Sequence, residues 1–370
     1  MLYLERKNFS VPLSRLGFGG MRFDDFDEGV KAVRLAYEKG ITYFDTAPGY
    51  CGDTSEAIFG EAFTTIPRDK IIISSKSGVW QDKTAEKLLK RVKKSIERMD
   101  VGYLDILHIW CVNNEKNWGK IMSPGGPFEG AEEAKKQGLV KHIFFSTHAD
   151  NDLNKRIIAG KHFEGMTVGF NLLNYAARLP TVEAARDADL ITVSMNPLAG
   201  GILPKYKDLF GFLSTPTSSI VETALFFNLS NPNLDVVLCG MGTSQEVEEN
   251  IAIVNGFKKM GDNNRSLAKQ IEENLADLNG SFCTLCNYCL PCPEGIPIPA
   301  YMNIIDVKHS TGEENQKSLY YWHKDRNTFL GIEADRCTEC GACEKACTQH
   351  LPIIDRLKEV SEDFPRDTIK

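Results

Sequence analysis

GITYFDTAPGYCGDTSE, residues 40–56, is the stretch whose reading decides the architecture. Ile41, Tyr43 and Phe44 are β-formers, and the run closes on Asp45. Pro48-Gly49 then marks a loop that carries Tyr50. Asp53-Thr54-Ser55-Glu56 offers a capping residue and begins a helix. A strand thus delivers a carboxylate to its C-terminal end, a phenol follows in the loop, and a helix turns back.

The same alternation repeats outward. Leu16–Gly20 reads as the first core strand, with Met21-Arg22 at its mouth, and residues 1–15 as a lead-in hairpin covering the bottom. Asp27–Lys39 has helical spacing through Val30, Val33, Leu35, Ala36 and Tyr37, and stops at Gly40. Lys70–Ser75 is a continuous apolar run, as a parallel strand covered on both faces shows, and it ends at Lys76. Thr84–Met99 aligns Leu88, Leu89, Val92 and Ile96 on one helical face. Further strands are expected at Tyr103–Trp110, Val140–Ser146, Met166–Phe170, Leu190–Ser194 and Val236–Cys239. Helices are expected up to Gly138 and at Asp152–Ala159, Thr181–Asp187, Ser218–Leu229 and Gln245–Val254. Eight strand–helix alternations in about 250 residues predict an α/β fold, a (β/α)8 TIM barrel with right-handed crossovers.

After Phe257 the pattern stops. Lys258–Arg265 is polar and rich in Gly and Asn, which sets the boundary: residues 1–262 for the barrel and 263–370 for a mostly helical second domain, joined by a helix over Ser266–Leu278. Composition excludes several classes. The net charge of −7 leaves no footprint for nucleic acid. No apolar run reaches the ~18 residues of a membrane span. The N-terminus MLYLERKNFS lacks the apolar core of a signal peptide. A cytoplasmic protein is expected.

Barrel sites lie at the C-terminal ends of strands. Asp45, Tyr50 and Lys76 fall there, in order, on consecutive strand–loop units. Taken singly, an Asp at a strand end is often a loop cap and a Lys there is usually solvated; the three together argue against coincidence. The segment resembles the aldo-keto reductase family, (β/α)8 barrels that use nicotinamide cofactors, and Asp45, Tyr50, Ser55 and Glu56 carry the resemblance. It implies that Tyr50 protonates a carbonyl oxygen as hydride arrives, with Lys76 easing proton release and Asp45 holding Lys76. It also implies cofactor contacts at Ser146, at Asn171, along Met195–Gly201, and at Gly240, Gly242, Thr243, Ser244, Glu249 and Asn250, where helix N–H groups receive phosphate. The basic residue that NADP-preferring members carry near this turn is replaced by Gln245, Glu246, Glu248 and Glu249, so NAD is expected over NADP. The fourth catalytic position, a His five residues after the strand-four Asp, is here Trp110. His108 lies two residues earlier on the same inward face, about 6.6 Å lower. Trp110 is expected to face Tyr50 with His108 in the core; the alternative is a bulge that lifts His108 to the mouth. Cys51 and Cys111 read as small, semi-buried residues near the mouth.

Of the eleven cysteines, eight form two runs: Cys283, Cys286, Cys289 and Cys292, then Cys337, Cys340, Cys343 and Cys347. These resemble the two-cluster bacterial ferredoxin pattern with one spacer shortened. Zinc ribbons use pairs rather than triplets plus one, and a disulfide framework suits neither the spacing nor a reducing compartment. The resemblance implies two [4Fe–4S] clusters with crossed ligation: Cys283, Cys286, Cys289 and Cys347 on one, Cys337, Cys340, Cys343 and Cys292 on the other. Together with Gly295–Pro299 and Gln349–Ile353 it points to the ferredoxin-type subgroup of the family. The leading reading is an oxidoreductase moving hydride between NAD(H) or NADP(H) and a small carbonyl or alcohol, with a redox partner protein for the clusters. Two others stand beside it: an electron-transfer or nucleotide-sensing protein with little turnover, and a reductase of altered chemistry such as C=C reduction.

Overall fold

Eight parallel strands, most of their residues buried, close on themselves in the computed structural model. The described residues are all but 113, 217, 259, 261–265, 268, 271–272, 275–281, 284–286, 326–328, 330 and 366–370. The N-terminal hairpin pairs β1 (Tyr3–Leu4) with β2 (Leu13–Ser14). The barrel follows as β3 (Leu16–Gly19), β4 (Tyr43–Asp45), β5 (Ile72–Gly78), β6 (Leu104–Val112), β7 (Val140–Thr147), β8 (Gly165–Gly169), β9 (Ile191–Met195) and β10 (Val236–Gly240). Each strand pairs with its sequence neighbour, and β10 closes the ring onto β3.

Helices return the chain between strands, and their starts follow capping chemistry. Asp25, Thr84, Asp150 and Thr243 each accept a backbone N–H two or three residues into a helix. Two expectations need correction. Lys76 is inside β5, which runs on to Gly78, because Ser77 and Gly78 continue the pairing with Ile109 and Trp110. The helix expected from Thr181 begins at Tyr175 and carries Pro180 in its interior; a proline is ordinarily read as a first-turn residue.

Inward-facing residues stack in layers. The lower layer is apolar: Tyr43, Ile72, Ile106, Phe144, Ile191 and Val236 pack with Leu13. Two residues further along, the inward positions become polar: Asp45 on β4, Ser74 on β5, His108 on β6, Ser146 on β7 and Thr167 on β8, all 2% exposed or less. A barrel interior ordinarily fills such a layer with branched apolar residues.

By internal contacts the chain forms two units, residues 1–198 with 221–266, and residues 199–220 with 267–370. The segment 199–220 keeps company with the C-terminal residues because Tyr206 and Phe210 pack rings on Phe282 and Lys205 donates to Asn303. The second unit is helical, with Ile298–Thr311, Glu313–Asp325, Ala342–Ala346 and Ile353–Asp363. Its core joins Ile296, Ile298, Tyr301, Met302, Ile304 and Ile305 to Leu351, Ile353, Leu357 and Val360. The expected linking helix over Ser266–Leu278 falls largely outside the described residues.

Near the barrel floor, Glu164 accepts from Lys135 Nζ (2.6 Å) and pairs with His142 Nδ1 (2.7 Å). Burial alone raises its carboxyl, but hydrogen bonds from His142 and Lys135 outweigh it and bring it down to about 2. In the unfolded chain a Glu titrates near ~4.3. The depressed folded value means that this group stabilises the fold above ~4.3 and loses that contribution as pH falls toward its folded value. The stability gap between wild type and Glu164→Gln is therefore expected at neutral pH and should close across that acid interval. A gap in denaturant midpoint that survives unchanged at the acid end contradicts the assignment.

Candidate active site and cysteine cavity

Asp45 ends β4, and its carboxylate pairs with Lys76 Nζ, both side chains 3% exposed. Lys76 Nζ also donates to the Thr46 carbonyl at 2.8 Å, and Ser74 Oγ donates to Asp45 Oδ1 at 2.8 Å. The Lys76 ammonium stands 5.0 Å from the centre of the Tyr50 ring. Burial pulls the Lys76 pKa down against the pull of Asp45. Burial, then the charge of Asp45, lift Tyr50 well above the usual phenol value, while Arg22 acts the other way. Tyr50 thus rests protonated beside a buried cation.

The loop that carries Tyr50 is held at three points. Arg98 grips both carboxylate oxygens of Asp53 (2.7 and 3.0 Å) and reaches Glu56 (3.2 Å). Glu56 in turn accepts from Ser75 Oγ on β5 at 2.8 Å. Ser55 Oγ donates to the Gly20 carbonyl at 2.7 Å, tying the helix start to the first strand's end. Ser55 and Glu56, noted in the sequence beside Asp45 and Tyr50, thus anchor the loop.

On β6, His108 and Trp110 share the inward face and differ in height. His108 is fully buried and engaged on both ring nitrogens, with Ser74 Oγ (3.0 Å) and Thr167 Oγ1 (2.7 Å). Burial first, then the Lys76 charge, hold its pKa well below 6.5, against the Ser75 backbone hydrogen bond. Trp110 meets Tyr50 edge-on at 5.5 Å and Trp80 at 4.6 Å. The β6–β7 register shifts between Ile109 and Val112, while His108 still pairs regularly with Phe144. The irregularity lies beyond His108 and does not lift it.

The residues around the expected nicotinamide end fit a polar ligand. Ser146 Oγ is buried at the end of β7 with no hydrogen-bond partner, which leaves it available to an amide. Asn171 is committed to the backbone: its Nδ2 donates to the Asn196 carbonyl and its Oδ1 accepts from Leu173 N. The turn after β10 is more closed. Thr243 caps the helix Ser244–Asn255; Glu246 accepts from the N–H groups of Gly242 (2.7 Å) and Thr243 (3.3 Å); Glu28 accepts from Ser244 N (2.9 Å). Carboxylates thus occupy donors that a phosphate would use. Glu249 accepts from Gln245, and Asn250 is buried. Gly242 admits the Arg22 carbonyl, which a Cβ there would meet at 2.2 Å, and the exposed Arg22 side chain lies over Gly240. Glu28 escaped the sequence reading, and Arg22 was placed at a strand mouth with no role assigned to it.

In the second unit, Cys292, Cys337, Cys340 and Cys343 line one small cavity with Pro293, Gly341 and Leu357. Cys283, Cys289 and Cys347 pack against the same apolar core. Cys286 falls outside the described residues. Asp306, paired with Arg356 at 3.0 Å, accepts from Cys283 N at 2.8 Å. Among the described residues no three Cys, His, Asp or Glu side chains converge on a point as a single metal ion requires. A cubane of four irons spaces its thiolates more widely.

The chain thus combines a closed parallel barrel, with polar groups gathered toward its strand ends, and a cysteine-rich helical segment. The chain belongs to the aldo/keto reductase family, which residues 15–268 match, and residues 282–351 match the 4Fe-4S dicluster domain. It is accordingly an NAD(P)-dependent oxidoreductase. L-Galactose dehydrogenase of Arabidopsis thaliana is 26% identical over 294 residues, 71% of this chain and 91% of that protein. The NADH-specific methylglyoxal reductase of Escherichia coli is 23% identical over 52% of this chain and 66% of its own length. An aldo-keto reductase from Bacillus halodurans in its holo form superposes with a TM-score of 0.63 at 19% identity, covering 73% of this chain and 96% of that one. Among the described residues no helix is long and apolar enough to cross a membrane.

Proposed function

We propose that this protein transfers hydride between NAD(H) and a small carbonyl or alcohol, with Tyr50 as the acid. The observation that carries the reading is the buried Lys76–Asp45 pair set under the Tyr50 ring. A bound nicotinamide supplies the hydride. Tyr50 gives its hydroxyl proton to the carbonyl oxygen as negative charge develops there, and the Lys76 ammonium stabilises the phenolate left behind. Asp45 keeps Lys76 charged and in place. Ser146 takes the carboxamide end of the cofactor, and Arg22 offers a cation to its phosphates in place of the capped helix N–H groups.

Trp110 and Trp80 wall the site with indole rings, so a flat substrate face, or the C–H face of an aldose, fits beside Tyr50. Indole cannot accept or relay a proton, which makes ordinary aldehyde reduction slow. A panel of aldoses, methylglyoxal and simple aldehydes is the first assay. Tyr50→Phe is expected to lower turnover by about two to four orders of magnitude, the usual share of general acid catalysis. Trp110→His should raise turnover of simple aldehydes. Undiminished activity in the first variant refutes the acid role.

NADH should bind more tightly than NADPH, because the 2′-phosphate meets the carboxylates of Glu246 and Glu28. Fluorescence titration decides, and tighter NADPH binding refutes the preference. The cysteines are proposed to hold two [4Fe–4S] clusters with crossed ligation, for which the shared cavity of Cys292 with Cys337, Cys340 and Cys343 is the support. Anaerobic protein should carry about eight irons per chain. About four, or zinc in their place, refutes two clusters; a Cys292→Ser variant that disturbs the Cys283 cluster alone refutes the crossing.

A further inference from the structure

The chain of polar groups inside the barrel runs further than acid chemistry at Tyr50 needs. From the lysine it passes through Asp45 to Ser74, from Ser74 Oγ to His108 Nδ1, and from His108 Nε2 to Thr167 Oγ1. It joins β4, β5, β6 and β8, and every member is 3% exposed or less. Proton counting fixes its direction. Asp45, as the carboxylate partner of Lys76, only accepts, so Ser74 spends its one hydroxyl proton on Oδ1. Ser74 Oγ can then only accept from His108, which places the imidazole proton on Nδ1. A neutral imidazole with Nδ1–H has a bare Nε2, so Thr167 donates into it.

We propose that Ser74 and His108 form a polarised brace that positions Asp45, and through Asp45 the Lys76 ammonium beneath Tyr50. His108 is then a positioning residue, two hydrogen bonds from Asp45 and three from Lys76, and not the acid that its place on the fourth core strand suggests. The inference rests on the proposed role of Tyr50 and Lys76. The structural logic is occupancy: Lys76 takes one Asp45 oxygen, Ser74 takes the other, and Ser74 is itself held by His108. Without the brace Asp45 is free to rotate, and Lys76 loses its fixed partner. The charged and titratable groups facing the brace are Asp45 and Tyr43 from β4, Lys76 from β5, Glu56 through Lys76, and Tyr50 above; Phe144 closes the β7 side edge-on at 5.5 Å.

Two experiments on the full-length, anaerobically prepared protein test it. The first needs no turnover. In protein labelled with 15N-histidine, the His108 signal, identified by its loss in His108→Asn, should show a protonated Nδ1 and a bare Nε2, unchanged across neutral pH. A neutral ring protonated on Nε2 overturns the proposal, since Ser74 must then donate to His108 and cannot donate to Asp45; an imidazolium overturns the neutral Nδ1–H brace, since Nε2 then no longer accepts from Thr167. The second uses whichever carbonyl of the panel turns over with NADH. Ser74→Ala and His108→Leu should each lower kcat by about ten- to a hundredfold with KM little changed, the scale of a small misplacement. Both should move the alkaline limb of the kcat profile to lower pH, because a loosened Asp45 supports the Lys76 ammonium less. The double variant should be no slower than Ser74→Ala, and His108→Asn, which keeps an N–H toward Ser74, should recover much of the loss. A uniform loss with an unmoved limb, or no loss at all, overturns the brace. Full turnover in Tyr50→Phe is a different failure: it removes the acid reading, while the tautomer measurement still reports on the brace itself.

Discussion

A lysine ammonium and an aspartate carboxylate, buried together where β4 ends and within β5, set the demands that the strands around them must meet. Removing two charges from water is costly, and attraction between them repays it only when the remaining donors and acceptors are also satisfied. Here they are: Lys76 has the Thr46 carbonyl beside Asp45, and Asp45 has the Ser74 hydroxyl beside Lys76. Those partners must sit at fixed heights on adjacent strands, which the parallel register of Asp45 with Ser74 supplies. The apolar layer of Tyr43, Ile72, Ile106 and Phe144 beneath keeps water from reaching the pair from below. The same dry floor makes the pair strong enough to act on a phenol above it.

Much of this was legible before any coordinates. Strand-to-loop order put Asp45, Tyr50 and Lys76 on consecutive units, since their signals are local: a run of β-formers, a Pro-Gly loop, a capped helix. Counting parity along β6 put Trp110 and His108 on one face at different heights, and the structure has Trp110 against Tyr50 and His108 in the core. What escaped was tertiary. Ser74 and Thr167 look like ordinary small residues until β5, β6 and β8 surround one imidazole. Glu28 reaches Ser244 across 216 positions, and no local pattern announces such a partner. One signal was available: a serine, a histidine and a threonine inside runs otherwise apolar enough to be buried imply a polar network among them.

The segment 199–220 shows the opposite limit. Read along the chain it belongs to the barrel because it lies between two barrel strands. Its aromatic residues Tyr206 and Phe210 find their ring partner at Phe282, and Lys205 finds Asn303, so its contacts lie with the second unit. Sequence order fixes where a segment leaves and rejoins a strand. It says little about which core buries the rings in between.

The second unit has a different problem of stability. Its core is a thin apolar layer, from Ile296 to Val360, and six of its cysteines pack against that layer rather than within it. The cysteine runs themselves add little apolar surface to that layer to offset the entropy of fixing their loops. Iron–thiolate bonds would answer that deficit, because metal bound only by the folded state adds its binding free energy to folding. Crossed ligation would extend the effect, since each cluster then closes a loop spanning both cysteine runs instead of one short turn. Reciprocal closure would also explain why the runs need the helices between them: Ile298–Thr311 presents Asp306 to Cys283 N, while Arg356 from the last helix meets the same carboxylate. The first cysteine of one run and the helix that follows the other are thereby held to a single side chain.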